Sequence, residues 1–195
     1  MNAPALPYFI AIGASGGEGI QDIIDLLRAL PQPTPAVVMV VCHRPSDRIS
    51  SLRDVLARGC DMPVVIAGEA GELLPGTCYI GEPDGHLTLV AKSLAHLVPG
   101  QRNRLRNRTI DTLFNSVALH ARERVIGVIM SGALDDGSRG LAAIHHAHGL
   151  TMVLEPGRKP VGMQQNAIDY DGPISFVGSA QEIAEVIGRI LAEGG

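Results

Sequence analysis

The sequence predicts an α/β fold, a mostly parallel sheet flanked by helices with an antiparallel hairpin at one edge. Three observations predict it. Short apolar runs alternate with segments of helical periodicity along most of the chain, as parallel strands joined by crossover helices require. The run Ala36-Val37-Val38-Met39-Val40-Val41-Cys42 is apolar at every position, which suits a central strand covered on both faces. Between Val64 and Val98 the segments shorten and are punctuated by Pro75-Gly76, Pro83-Asp84-Gly85 and Pro99-Gly100, which predicts hairpin strands near Cys78–Ile80 and Leu87–Val90.

The first strand is Tyr8-Phe9-Ile10-Ala11-Ile12, and it stops at Gly13-Ala14-Ser15-Gly16-Gly17. Ile20, Ile23, Ile24, Leu27 and Leu30 follow at helical spacing, so Ser15 falls on a strand-to-helix turn. The strand Ala36–Cys42 ends at His43, and Ser51-Leu52-Arg53-Asp54 resembles a capping box opening a short helix through Arg58. Ile110, Leu113, Phe114, Val117 and Ala121 mark the next amphipathic helix, ahead of a strand at Val125–Met130 and a helix to about His148. Strands at Thr151–Leu154 and Ile174–Val177 complete the sheet. Ser179-Ala180-Gln181-Glu182 is a second capping box, before a closing helix whose apolar face is Ile183, Val186, Ile187, Ile190 and Leu191.

Composition narrows the function. A length of 195 residues suits one domain, 1–195, and with hydrophobic residues at 46% but aromatics at 3% its core must be aliphatic. No apolar run approaches the roughly 20 residues of a membrane span, and the N-terminus lacks the marks of a secretory signal, so a cytoplasmic protein without membrane insertion is expected. Cys42, Cys60 and Cys78 form no C-x-x-C array and are expected as reduced thiols. A net charge of -4 argues against nucleic-acid binding. His145, His146 and His148 lie near a helix end without a carboxylate-rich partner motif, so no metal and no cofactor is expected. Arg102, Arg104, Arg106 and Arg108 form a basic run that is either a solvated loop or a docking patch for an acidic partner.

The chemistry concentrates on strand ends. In an open α/β sheet, ligands and catalytic groups gather beyond the carboxyl ends of the strands, which puts Ser15 and His43 on one edge. Asp135 and Asp136 follow the strand Val125–Met130 on that edge. A serine hydroxyl becomes a strong nucleophile when a base takes its proton and a carboxylate orients the base, roles that Ser15, His43 and Asp136 can fill, with Asp135 as the alternative acid. Gly13–Gly17 satisfies the G-x-S-x-G pattern in its strand–turn–helix context. Backbone N–H groups near Gly16 and Gly17 or near Ala133 would hold an oxyanion. The rival phosphate-cradle reading is weakened because Gly13–Gly19 is neither G-x-G-x-x-G nor a lysine-bearing P-loop.

Six segments carry a resemblance: Ile12-Gly13-Ala14-Ser15 with Gly17, Val41-Cys42-His43-Arg44-Pro45, Cys78-Tyr79-Ile80, Thr109-Ile110-Asp111-Thr112-Leu113-Phe114, Ile129-Met130-Ser131-Gly132 with Asp136-Gly137, and Gly162-Met163. In this order they resemble the CheB family, the catalytic domains of bacterial chemotaxis protein-glutamate methylesterases. The resemblance implies a doubly wound fold, Ser15 as nucleophile, His43 as general base and Asp136 as its orienting partner, and Met163 is expected as a wall of the substrate pocket and not a redox site. It implies hydrolysis of γ-glutamyl methyl esters on the cytoplasmic helices of chemoreceptors or a similar protein substrate, with glutamine deamidation in some members. The family's receiver domain has no counterpart before the first strand, so a stand-alone domain is expected. Gly16, Leu134, Arg108 and Gln164 replace the family's usual threonine, glycine, proline and proline. If position 134 needs a positive φ, Leu134 would be strained. These departures motivate the alternative of a catalytically silent CheB-like module that docks partner helices through the arginine run, and a nucleotide-binding α/β domain is the third reading.

Overall fold

The computed structural model describes residues 6–43, 51–69, 72–81, 85–91, 94–99, 108–157 and 162–194. In chain order its elements are β1 (Tyr8–Ser15), α1 (Gly16–Ala29), β2 (Ala36–His43), α2 (Leu52–Gly59), β3 (Val64–Ile66), β4 (Cys78–Ile80), β5 (Gly85–Ala91), β6 (Leu94–Pro99) and α3 (Thr109–Ala121). They continue as β7 (Val125–Ile129), α4 (Ser138–His146), β8 (Leu150–Leu154), α5 (Met163–Asp169), β9 (Phe176–Gly178) and α6 (Ala180–Glu193). Seven strands form one sheet in the order β3-β4-β2-β1-β7-β8-β9, and every pairing in it is parallel.

Period-two alternation in β1 divides the core. Ile10, Ile12 and Ala14 point to one face and pack with Ile23, Leu27, Ile183 and Ile187 of α1 and α6, all buried. Phe9 and Ala11 point to the other, against Ile110, Phe114 and Val117 of α3 and Leu141 and Ile144 of α4. Each fully buried Ile, Leu, Val or Phe side chain among them contributes about 1.5–3 kcal/mol. Because both faces are covered, the central strands carry almost no polar residue until they reach the carboxyl edge.

The chain runs from β1 outward to β2 on one side and later returns to β7 on the other. The order therefore reverses at β1, and a crevice opens between the ends of β1 and β7, where open α/β sheets hold their ligands. That topology places Ser15 and the Ser131–Asp136 loop opposite each other.

Two local expectations are corrected. The antiparallel hairpin exists, but its strands are β5 and β6, which form a separate two-stranded sheet. Leu89 N donates to Ser116 Oγ at 2.9 Å, seating this hairpin on α3. Cys78–Ile80 instead enters the parallel sheet between β3 and β2, because its apolar residues find partners on strands distant in sequence. Ser51 starts α2 without a side-chain cap, its φ of -100° and ψ of 12° lying outside the extended geometry a capping serine uses. Ser179 forms the expected box: Glu182 N donates to Ser179 Oγ at 3.3 Å, and Ser179 N donates to Glu182 Oε2 at 2.8 Å. Among the described residues, no helix is long and apolar enough to cross a membrane.

Candidate active site

Ser15 closes β1 in extended conformation and is the N-cap residue of α1, yet its side chain makes no cap bond. The hydroxyl is thus not committed to the helix. Its backbone N–H donates to Ser131 O at 3.0 Å, tying the end of β1 to the loop after β7. The first N–H groups of α1 have no intrahelical acceptor, and the helix N-terminus carries positive partial charge beside the hydroxyl. Gly16 has φ of +74°, a conformation that glycine adopts freely and a side chain with a Cβ would strain.

His43 ends β2 as the register partner of Ser15, so both side chains leave the same face of the sheet from adjacent strands, about 4.8 Å apart. No hydrogen bond joins them among the described residues, and such catalytic bonds often tighten only when substrate is bound. His43 Nε2 lies 2.7 Å from Asp136 Oδ2. The carboxylate occupies Nε2, which leaves Nδ1 as the nitrogen able to serve Ser15, the reverse of the chymotrypsin arrangement.

Asp136 is 6% exposed and is held by the start of α3: Ile110 N donates to Oδ2 and Asp111 N to Oδ1, each at 2.9 Å. An anion at a helix N-terminus with two N–H donors is favourably placed, so the group orienting His43 is itself oriented. The choice between the neighbouring acids also has a physical cause. Arg108 Nη2 binds Asp135 Oδ2 at 3.2 Å while Nη1 binds Asp111 Oδ2 at 3.0 Å. Asp135 is thereby held by Arg108, and Asp136 meets the imidazole. Arg108 carries both of these ion pairs while its side chain stays 37% exposed, and Arg102, Arg104 and Arg106 lie outside the described residues.

A cleft of about 640 Å³ opens on Ser15, with Gly16, Gly17, Ser131, Ala133 and Gln164 among its walls. Gly132 shows why the wall is glycine: a Cβ there would lie 2.2 Å from Met163 Sδ and 2.7 Å from Ser15 Cβ. Met163, expected on the pocket, stands behind this wall at 1% exposure, its N–H donating to Gly132 O at 2.9 Å. Gln164 takes the wall position, its Nε2 donating to Ser131 Oγ at 3.0 Å, a contact that sequence reasoning did not anticipate. Leu134 has φ of 72° and is 72% exposed, so the strain expected of a side chain there is present, about 1–2 kcal/mol. Asn166 Nδ2 donates to its carbonyl and helps to hold it. His86 is not among the cleft's walls; burial pushes its imidazole below the ordinary range, opposed by the charge of Asp136. Among the described residues no three metal-ligating side chains gather.

These features define a doubly wound α/β domain with a serine, an imidazole and a carboxylate gathered at the carboxyl edge of its sheet, the serine opening on a glycine-walled cleft. The chain belongs to the CheB methylesterase family, whose model matches residues 10–187. It is 32% identical over 190 residues to the protein-glutamate methylesterase/protein-glutamine glutaminase of Salmonella typhimurium strain LT2, and 33% identical over 188 residues to that of Yersinia pestis biovar Antiqua. Each alignment covers 94% of this chain, which spans about half the length of these relatives, 53% and 52%. The crystal structure of the Thermotoga maritima CheB methylesterase catalytic domain superposes with a TM-score of 0.83 at 26% identity, covering 94% of this chain and 98% of that one.

Proposed function

We propose that this chain is a serine hydrolase that removes methyl groups from glutamate methyl esters on chemoreceptor-type proteins in the cytoplasm. The observation that carries this reading is the pairing of His43 with a helix-anchored Asp136 beside Ser15, which lines a cleft. The relatives' activity supports the choice of ester.

Ser15 Oγ attacks the γ-carbonyl carbon while its proton passes to His43 Nδ1, and Asp136 stabilises the resulting imidazolium through Nε2. The C–O π electrons move to the carbonyl oxygen, and backbone N–H groups at Gly16–Gly17 or Ala133 hold that oxyanion. Collapse restores the carbonyl, breaks the bond to the methoxy group and returns the proton from His43, so methanol leaves. Water, deprotonated by His43, then attacks the glutamyl-serine, releasing a protein glutamate and regenerating Ser15. The same steps on a glutamine side chain expel ammonia, the second activity named for the relatives. Arg102, Arg104, Arg106 and Arg108 supply positive charge for docking an acidic protein partner.

The test is methanol release from a receptor fragment carrying methylated glutamates. The chain should release methanol in proportion to enzyme and time. Folded protein that releases none from any glutamyl methyl ester would remove the esterase reading.

A further inference from the structure

Asp111 is a buried acid on α3 that the chemistry above does not use, at 4% exposure. Its Oδ1 accepts from Gly137 N at 3.0 Å and Gly140 N at 2.8 Å, while Oδ2 accepts from Arg108 Nη1 at 3.0 Å. Its own backbone N–H donates to Asp136 Oδ1 at 2.9 Å. The bonding is reciprocal. Asp136 grips the start of α3, and Asp111 grips the backbone immediately after Asp136 and the first turn of α4.

Nothing in helical periodicity calls for an acid here. A carboxylate beside a second buried carboxylate is costly unless it does something an apolar residue cannot. Burial and the charge of Asp136 push the Asp111 carboxyl up, against the pull of Gly140 N–H and Arg108. Arg108 supplies the compensating charge and binds Asp135 as well.

We infer that Asp111 is a positioning residue: with Arg108 it clasps the Asp136–Gly140 backbone so that Asp136, and not Asp135, presents its oxygen to His43. The inference rests on the hydrolase reading for its effect on rate, but its geometry stands apart from that reading.

The experiment compares Asp111→Asn and Asp111→Ala in the full chain. Three readouts are taken: kcat and KM for ester hydrolysis, thermal unfolding, and the low-field proton resonance of the His43 N–H bonded to Asp136. An asparagine keeps one oxygen for Gly137 and Gly140 but turns an NH₂ toward Arg108, so kcat should fall about tenfold with a shifted resonance. The alanine removes every acceptor, so kcat should fall at least about 100-fold, with KM within about twofold and the resonance lost. Unchanged kcat and resonance in Asp111→Asn, or in folded Asp111→Ala, overturn the inference, as does a loss confined to KM. Should the native chain hydrolyse no ester, the resonance alone decides: its loss in the variants upholds the clasp, and its persistence ends it.

Discussion

Ser15→Ala should reduce methanol release about 10⁶-fold, the scale on which a triad loses its serine. The methyl group left behind cannot form the glutamyl-serine, and only the cleft and its oxyanion donors remain to act on the ester. The fold should tolerate the change. Ser15 Oγ makes no hydrogen bond among the described residues, and the strand is anchored by the backbone bond from Ser15 N to Ser131 O. Stability should therefore stay within about 0.5 kcal/mol of the native chain. Activity lost together with cooperative unfolding would point to structure instead of nucleophile, so both are measured on the same preparation. Residual release within tenfold of native would exclude Ser15 as the attacking group.

Asp136→Asn should lower kcat about 10⁴-fold, as when a triad carboxylate becomes an amide and the imidazole takes the wrong tautomer. In this site the damage is compounded. Asp136 Oδ2 receives bonds from both His43 and Ile110 N, and Oδ1 from Asp111 N. An amide has one acceptor oxygen, so whichever way it turns, an NH₂ faces a donor. A buried N–H left without an acceptor costs about 1–3 kcal/mol, and the melting temperature should fall accordingly. Asp135→Asn makes the contrast: Asp135 bonds Arg108 and its side chain is 61% exposed, so its loss leaves the imidazole's partner in place. Equal losses of rate in the two variants would contradict the assignment of Asp136.

Much of this arrangement was legible in the residues. Ala36–Cys42 is apolar throughout because β2 is covered on both faces, and its end at His43 follows from the change to a polar residue. Ser15 was legible because the glycines around it mark a turn between periods of two and 3.6. Strand β4 was not. Three residues between turn signals look the same whether they pair with the next segment or with Val38–Val40 and Val64–Ile66, and the distinction lies in contacts remote in sequence. Asp111 was equally hidden. An acid in the first turn of a helix is ordinary on dipole grounds alone, and only the return of Gly137 and Gly140 to its carboxylate sets it apart. Met163 is expected on the cleft, but Gly132 has no side chain to keep its thioether away, so the sulfur fills that space from behind and Gln164 takes the wall.

The nucleophilic role of Ser15 is tested most directly by mass spectrometry after incubation with a serine-directed phosphonate. One adduct, confined to the peptide that contains Ser15 and absent when His43 is replaced by alanine, is the predicted result. A folded chain that stays unlabelled, or carries its adduct on another residue, would contradict it.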